Sequence, residues 1–384
     1  MSASDNTPLP APRISGESMS VEGVVADKNP AEGPGLPEEP EEPELRATST
    51  VLKKRGGLPA VVLVSPALAD ANNGNWHTAQ RWSKFLSGHC DTALVKSWPP
   101  AGGSPAAAHA PQAMIALHAR RSAESIHAWA KTCPDKPLIV VLTGTDLYRD
   151  IQHDAAAQKS LALASHLVVL QEAGLQALPE QWRGKARVIF QSASALKPAR
   201  KSSQRFRAVM VGHLRAEKDP VTFMQAAARV QDQAIYFDQI GDALEPEFST
   251  RAEQTHQQNP HYRWLGGLPR TVTRQRIRRA HVLVYWSVME GGALVVLEAV
   301  QSATPVLASG ISGNVGMLGE DYAGYFPVGD AGALAALVRR CAAEPEFLTF
   351  LQGQCSRRAP LFAPDAEQRH VLNLVLSALK PSSA

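Results

Sequence analysis

The chain has 384 residues, 44% of them hydrophobic and 20% charged, with a formal net charge of +3; this is too long for one small core and suits two α/β domains. Residues 1–58 hold six Lys or Arg against ten Asp or Glu, so the remainder holds 33 against 26, a mild basic excess that suits small anionic ligands. No Lys/Arg stripe interleaves with aromatics as nucleic acid would require, no apolar run approaches the ~18 residues of a membrane span, and Cys90, Cys133, Cys341 and Cys355 are too scattered for a zinc site or a disulfide framework. A cytoplasmic protein with reduced thiols is expected.

Residues 1–58 contain eight prolines, the acidic cluster Glu38–Glu44, and no Phe, Trp or Tyr. Such a segment buries too little apolar surface to offset its ordering entropy, and a disordered tail is predicted. Folded structure is expected from Pro59–Ser65, an apolar run of the kind that forms a parallel strand covered on both faces. The polar loop Asn72–Asn75 follows, then the helical pattern Trp76–Leu86. Strand, small polar loop and helix make either an anion-accepting turn at the carboxyl end of a strand, with Gly74 and Asn75 in it, or an ordinary connection. Further strands at 92–97, 113–117, 138–142, 166–170 and 187–190 alternate with helical stretches, which predicts a parallel, doubly wound sheet over residues 59–200.

Two loops of this half stand out. His118–Arg121 follows an apolar run and opens a helix, so Arg120 and Arg121 either offer forked hydrogen bonds to a phosphate-like dianion or remain solvated. Thr143, Gly144, Thr145 and Asp146 follow the next strand and make a polar pocket floor, unless Asp146 only caps the following helix.

The pattern restarts over residues 201–363. A strand at 207–212 ends on Gly212, and Arg215 and Lys218 precede a helix at 221–230 opened by Asp219 and Pro220. Two cations there neutralise a diphosphate leaving group without a metal, or lie in a solvent-facing loop. Strands at 235–237, 262–266 and 282–286 surround helices at 245–258 and 271–280; the five arginines from Arg270 to Arg279 read as a solvated face. The stretch Ser287–Glu298 lies between two apolar runs. With Gly291 and Gly292 at its turn, the N–H groups of the following helix are expected to be bare, an anion site. Glu290 and Glu298 would lie roughly 12 Å apart along a helix, the span of a nucleotide-sugar, or be two solvated carboxylates. A second glycine loop, Ser309–Gly316, follows the next strand, and helices at 331–341 and 365–379 close the chain.

These residues resemble the GT-B glycosyltransferases of the family 4 type, over about residues 59–380. The resemblance rests on the spacing of Glu290 and Glu298, the basic segment Gly212–Lys218, Thr143–Asp146 in place of a His-Gly-x-Asp loop, and Asn72–Asn75. It implies two Rossmann-like domains facing a cleft, with the last helix, 364–384, crossing back to the first domain. By the same resemblance Glu298 binds the ribose, Glu290 with the Gly291, Gly292 and Ala293 backbone binds the sugar, and Arg215 with Lys218 binds the diphosphate. The chain departs from that pattern at Gly292 and Ala293, which reshape the sugar end, and at His213, where an arginine is usual. No Asp-x-Asp triad is present, in keeping with a metal-independent site without a cofactor.

A closer resemblance is to the selenosugar synthases of selenoneine biosynthesis, carried by Asn73–Ala79 through its Gly74-Asn75 core, Ala116–Ala123, Leu142–Tyr148 and Val211–Pro220. It implies transfer of N-acetylglucosamine from UDP-N-acetylglucosamine to selenophosphate, functionally coupled to a selenophosphate synthetase. Gly74, Asn75, Arg120, Arg121, Thr143 and Thr145 would then hold the acceptor, with His118 or Asp146 assisting a later P–Se hydrolysis. A conventional transferase acting on a hydroxyl acceptor, and a non-catalytic nucleotide-sugar-binding protein, are the rival readings.

Overall fold

The computed structural model describes residues 57–66, 74–100, 110–230, 232 and 234–380; the tail expected over 1–58, apart from its last two residues, and Asn72 and Asn73 lie outside them. Strands β1 Ala60–Val64, β2 Asp91–Val95, β3 Ala113–Leu117, β4 Leu138–Leu142, β5 His166–Val169 and β6 Ala186–Val188 form one parallel sheet in the order β2-β1-β3-β4-β5-β6. Strands β7 Phe206–Val211, β8 Ile235–Ile240, β9 Tyr262–Trp264, β10 Val282–Tyr285, β11 Val306–Ser309 and β12 Tyr325–Phe326 form a second, in the order β12-β11-β10-β7-β8-β9. The two doubly wound parallel sheets expected are therefore present.

The apolar runs are continuous because both faces of each sheet are covered. In the first sheet Val62, Val64, Met114, Ala116, Val140 and Leu142 pack with Ile126, Trp129 and Leu161 on one face. The alternate residues Val61, Leu63, Ala113, Ile115, Ile139 and Val141 pack on the other with Ala79, Trp82 and Leu86. Three further residues of that second layer, Val371, Leu374 and Val375, come from the chain's last helix, Pro364–Ala378. That helix thus covers the first sheet although it follows the second in the chain, and Glu367 anchors it: the carboxylate accepts from Arg81 Nε (2.6 Å), Arg81 Nη2 (3.0 Å), Trp82 Nε1 (2.7 Å) and Ser192 Oγ (2.6 Å).

The order of each sheet reverses where consecutively formed strands part, between β1 and β3 and between β7 and β10. A crevice opens at the carboxyl ends of strands at such a point. In the first sheet His118 follows β3; in the second, Gly212–Lys218 follow β7 and Ser287–Gly292 follow β10. β12 and the helix Pro345–Arg358 were not legible as elements: the strand has two residues, and only Glu344 separates the helix from its predecessor Ala331–Ala343. Among the described residues no helix is long and apolar enough to cross a membrane, and the four cysteines are free thiols.

Candidate active site

The segment after β7 turns on Gly212, whose φ of 157° lies at the edge of the glycine-favouring region. A short 3-10 turn, Ala216–Lys218, leads into the helix Pro220–Arg229, whose N-cap Asp219 accepts from Thr222 N at 3.3 Å. The backbone of Glu217 accepts from Val288 N (3.1 Å) and Ser287 Oγ (3.3 Å), which ties this turn to the loop after β10. Lys218 Nζ consequently reaches Glu290: it donates to Oε2 at 2.6 Å and to the Tyr285 hydroxyl at 2.5 Å, while Tyr285 donates to the same carboxylate oxygen. Burial works against the ionised carboxyl of Glu290, but the Lys218 ammonium, the phenol and the Gly292 backbone outweigh it and hold the group below the usual range. Tyr285, at the end of β10, is buried with its pKa pushed up by burial and then by the Glu290 charge, so it stays a donor. Arg215 is half exposed, 3.8 Å from the exposed Glu217 carboxylate, a pairing too solvated to immobilise it.

Gly291 and Gly292 do not open a helix. The helix begins at Leu294, and the N–H of its N-cap Ala293 is buried against Met317 Sδ at 3.3 Å. That one amide is covered by the helix Ser312–Leu318, to which Met317 belongs. The glycines serve a different contact. A Cβ on Gly291 would lie 2.5 Å from the Thr143 carbonyl oxygen and 2.7 Å from Gly144 N, and one on Gly292 would lie 2.9 Å from Leu170 Cβ. The floor after β4 therefore abuts the loop after β10, backbone against backbone. Beside it Tyr148 and Ser312 hydroxyls meet at 3.2 Å, and Gln191 Nε2 faces the Gly292 carbonyl at 3.5 Å.

Glu298 is buried in the helix Leu294–Val300 and accepts from Arg270 Nε (3.0 Å) and Nη2 (2.9 Å), with Arg274 Nε 3.9 Å away. Two of the five arginines assigned to a solvated face thus approach this carboxylate, since a buried charge needs a partner. Arg270 also lowers the pKa of His77 across the cleft, after burial and ahead of Arg81.

On the first domain, Asp146 is fully buried and accepts from Ala119 N, Thr143 N and Gly144 N, each at 2.9 Å. It is neither a helix cap nor a group presented to the cleft; it fixes the loops after β3 and β4 to each other. His118 is 3% exposed, at φ 72°. Its Nδ1 accepts from Arg121 N (3.2 Å) and its Nε2 lies 2.9 Å from Thr145 Oγ1. Arg120 does not join the site: its exposed side chain pairs with Asp154, the N-cap of the helix Ala155–Leu163, at 2.8 Å. Arg121 is exposed and, among the described residues, in no ion pair. Gly74 and Asn75 form the first turn of the helix Gly74–Leu86, and Gly74 has room for a Cβ. Two residues that matter here, Tyr285 and Arg270, read in sequence as core and as surface; the position of Tyr285 at the last place of a strand beside the switch point was the available signal.

Residues 193–351 match the family model described as glycosyl transferases group 1. A curated relative, glycosyltransferase 1 domain-containing protein 1 of Xenopus tropicalis, is 26% identical over 140 residues, 36% of this chain and 40% of its own length; the chain thus matches less than half of that relative. Among solved structures, Anabaena Alr3699/HepE in complex with UDP and glucose superposes with a TM-score of 0.63 at 16% identity, covering 84% of this chain and 100% of that one. Sucrose-phosphate synthase from Thermosynechococcus elongatus gives 0.67 at 16%, covering 84% and 99%. Likeness at this identity establishes the fold, which is GT-B.

Proposed function

We propose that the chain is a glycosyltransferase that moves N-acetylglucosamine from UDP-N-acetylglucosamine to selenophosphate. The second domain takes the donor: Arg215 and Lys218 face the diphosphate, and Glu290 and Glu298 face sugar and ribose once their internal partners yield. Positive charge from these side chains takes the place of a metal. Selenium attacks the anomeric carbon as the bond to the diphosphate oxygen breaks and UDP departs. Water then cleaves the P–Se bond, releasing phosphate and the selenosugar.

The observation that carries the choice of acceptor is the engagement of both groups expected to move protons. Asp146 is committed to three backbone N–H groups, and His118 accepts at Nδ1 from Arg121 N. A hydroxyl acceptor benefits from a proton acceptor at this place, whereas selenophosphate arrives ionised and needs orientation and charge screening. The Alr3699/HepE structure, solved with UDP and glucose, supports a uridine donor.

Incubation with UDP-N-acetylglucosamine and either selenophosphate or simple hydroxyl acceptors tests the reading by UDP release and product mass. Selenophosphate-dependent UDP release with a selenosugar product is expected. UDP release only with hydroxyl acceptors reverts to the conventional transferase, and UDP binding without release under any condition makes the chain a binding protein.

A further inference from the structure

His118 touches two residues on the first domain's side of the cleft, one with each ring nitrogen. Nδ1 accepts from the Arg121 N–H at 3.2 Å, so in the neutral ring the proton resides on Nε2. Nε2 lies 2.9 Å from Thr145 Oγ1 and therefore donates to it. A hydroxyl that accepts at its oxygen keeps its own hydrogen to donate elsewhere. The bracket is held rigidly: the ring is buried, the His118 backbone is in the left-handed region at φ 72°, and Asp146 clamps Ala119 to Thr143 and Gly144.

We infer that neutral His118 is a positioning residue that sets Arg121 and Thr145 as a seat for the oxyanion of the acceptor. Arg121 supplies an exposed guanidinium unpaired among the described residues, and Thr145, half-buried beside the Thr143–Gly144 contact with Gly291, supplies a directed O–H. The ligand class is a tetrahedral oxyanion, the phosphate end of the acceptor. This deepens the reading above and rests on it for the identity of the substrate.

The charged groups around the ring set its pH behaviour. Asp146 Oδ2 lies 3.8 Å from Nδ1 and Asp150 Oδ2 lies 4.0 Å from Nε2; both favour the imidazolium. Burial, the largest influence, and the Arg121 charge oppose them, and the net pKa is lowered. The bracket is thus intact at and above the ordinary histidine pKa of about 6.5. As pH falls through the lowered value Nδ1 gains a proton and can no longer accept from Arg121 N, although Nε2 still donates to Thr145.

The test compares His118→Asn with His118→Gln. Asn tolerates the left-handed backbone and offers an oxygen near Nδ1 but no donor near Nε2; Gln restores an N–H there. His118→Asn is expected to raise the acceptor KM about ten-fold, the loss of one hydrogen bond to an anion, and to lower acceptor-dependent UDP release more than acceptor-independent release. His118→Gln recovers part of that loss, and the wild-type rise in acceptor KM at acid pH disappears in both. An equal fall in acceptor-dependent and acceptor-independent release means a structural role and overturns the inference. Two measurements stand independently of the transferase reading. Nitrogen-15 NMR of labelled histidine in the full chain is expected to place the neutral proton of His118 on Nε2; a proton on Nδ1 overturns the bracket. Titration with inorganic phosphate is expected to show binding that weakens in Arg121→Ala and Thr145→Val; equal binding in all three overturns the seat. Failure of UDP release with every acceptor, with both of these results positive, counts against the substrate and leaves the oxyanion seat standing.

Discussion

Glycine at position 291 is a packing requirement before it is a ligand-binding one. Its missing Cβ lets the Thr143 carbonyl and the Gly144 amide approach within distances that no alanine permits, and Gly144 itself sits at φ 145°, where L side chains are strained. Gly291→Ala must part the two loops or distort one. The expected cost is about 1–3 kcal/mol, the range for overpacking, read as a lowered urea midpoint together with weaker UDP binding. Gly353→Ala is the control: it lies in the helix Pro345–Arg358 with nothing within 4 Å of an added Cβ, and gains helix propensity of just under about 1 kcal/mol. Equal behaviour of the two variants would show that the loops do not depend on this contact. The sequence made the glycine pair legible as a place of close approach. It did not show what approaches, because the partner backbone lies nearly 150 positions earlier in the chain and no local pattern encodes that distance.

At the scale of elements, the last helix is the clearest case of a short segment held by one buried charge. Glu367 is 1% exposed and receives four donor atoms from Arg81, Trp82 and Ser192. Removing it with Glu367→Ala strands the Arg81 guanidinium and the Trp82 N–H, and breaking a buried pair in this way costs about 3–5 kcal/mol. The expectation is loss of the cooperative unfolding transition at its wild-type temperature, with Glu367→Gln intermediate because it keeps an acceptor. An unchanged transition in both would remove the anchor from the account. Here the sequence was informative in a graded way. Strands with continuous apolar runs, such as Ala113–Leu117 and Leu138–Leu142, were readable because burial on both faces leaves no polar interruption. In the helix Arg270–Arg279 the solvated reading holds for Arg276 and Arg279 but misses the half-exposed Arg270 and the more buried Arg274, since the carboxylate they approach, Glu298, belongs to another element.

For the whole molecule, several contacts between the two doubly wound domains lie beside the residues proposed to take the donor. Thr143 and Gly144 rest on Gly291, Tyr148 on Ser312 and Gln191 on Gly292, each in the segment that follows a strand. Lys218 is meanwhile bonded to Glu290, one residue from that contact. A diphosphate that reached Lys218 would compete with the Glu290 carboxylate for the same ammonium, so binding of the proposed donor is expected to reorganise the loop on which the first domain rests. Ligand-induced change then extends to both domains through differential contacts, the condition for any coupled shift. Hydrogen exchange read by mass spectrometry checks this: on addition of UDP, amides in 143–148 and in 287–292 are expected to change protection together, with the same UDP dependence. A response confined to 287–292 would mean that the second domain accommodates the donor alone. In that case the glycine contact would be a static joint, and the coupling between donor site and first domain drawn from Lys218 and Glu290 would be wrong.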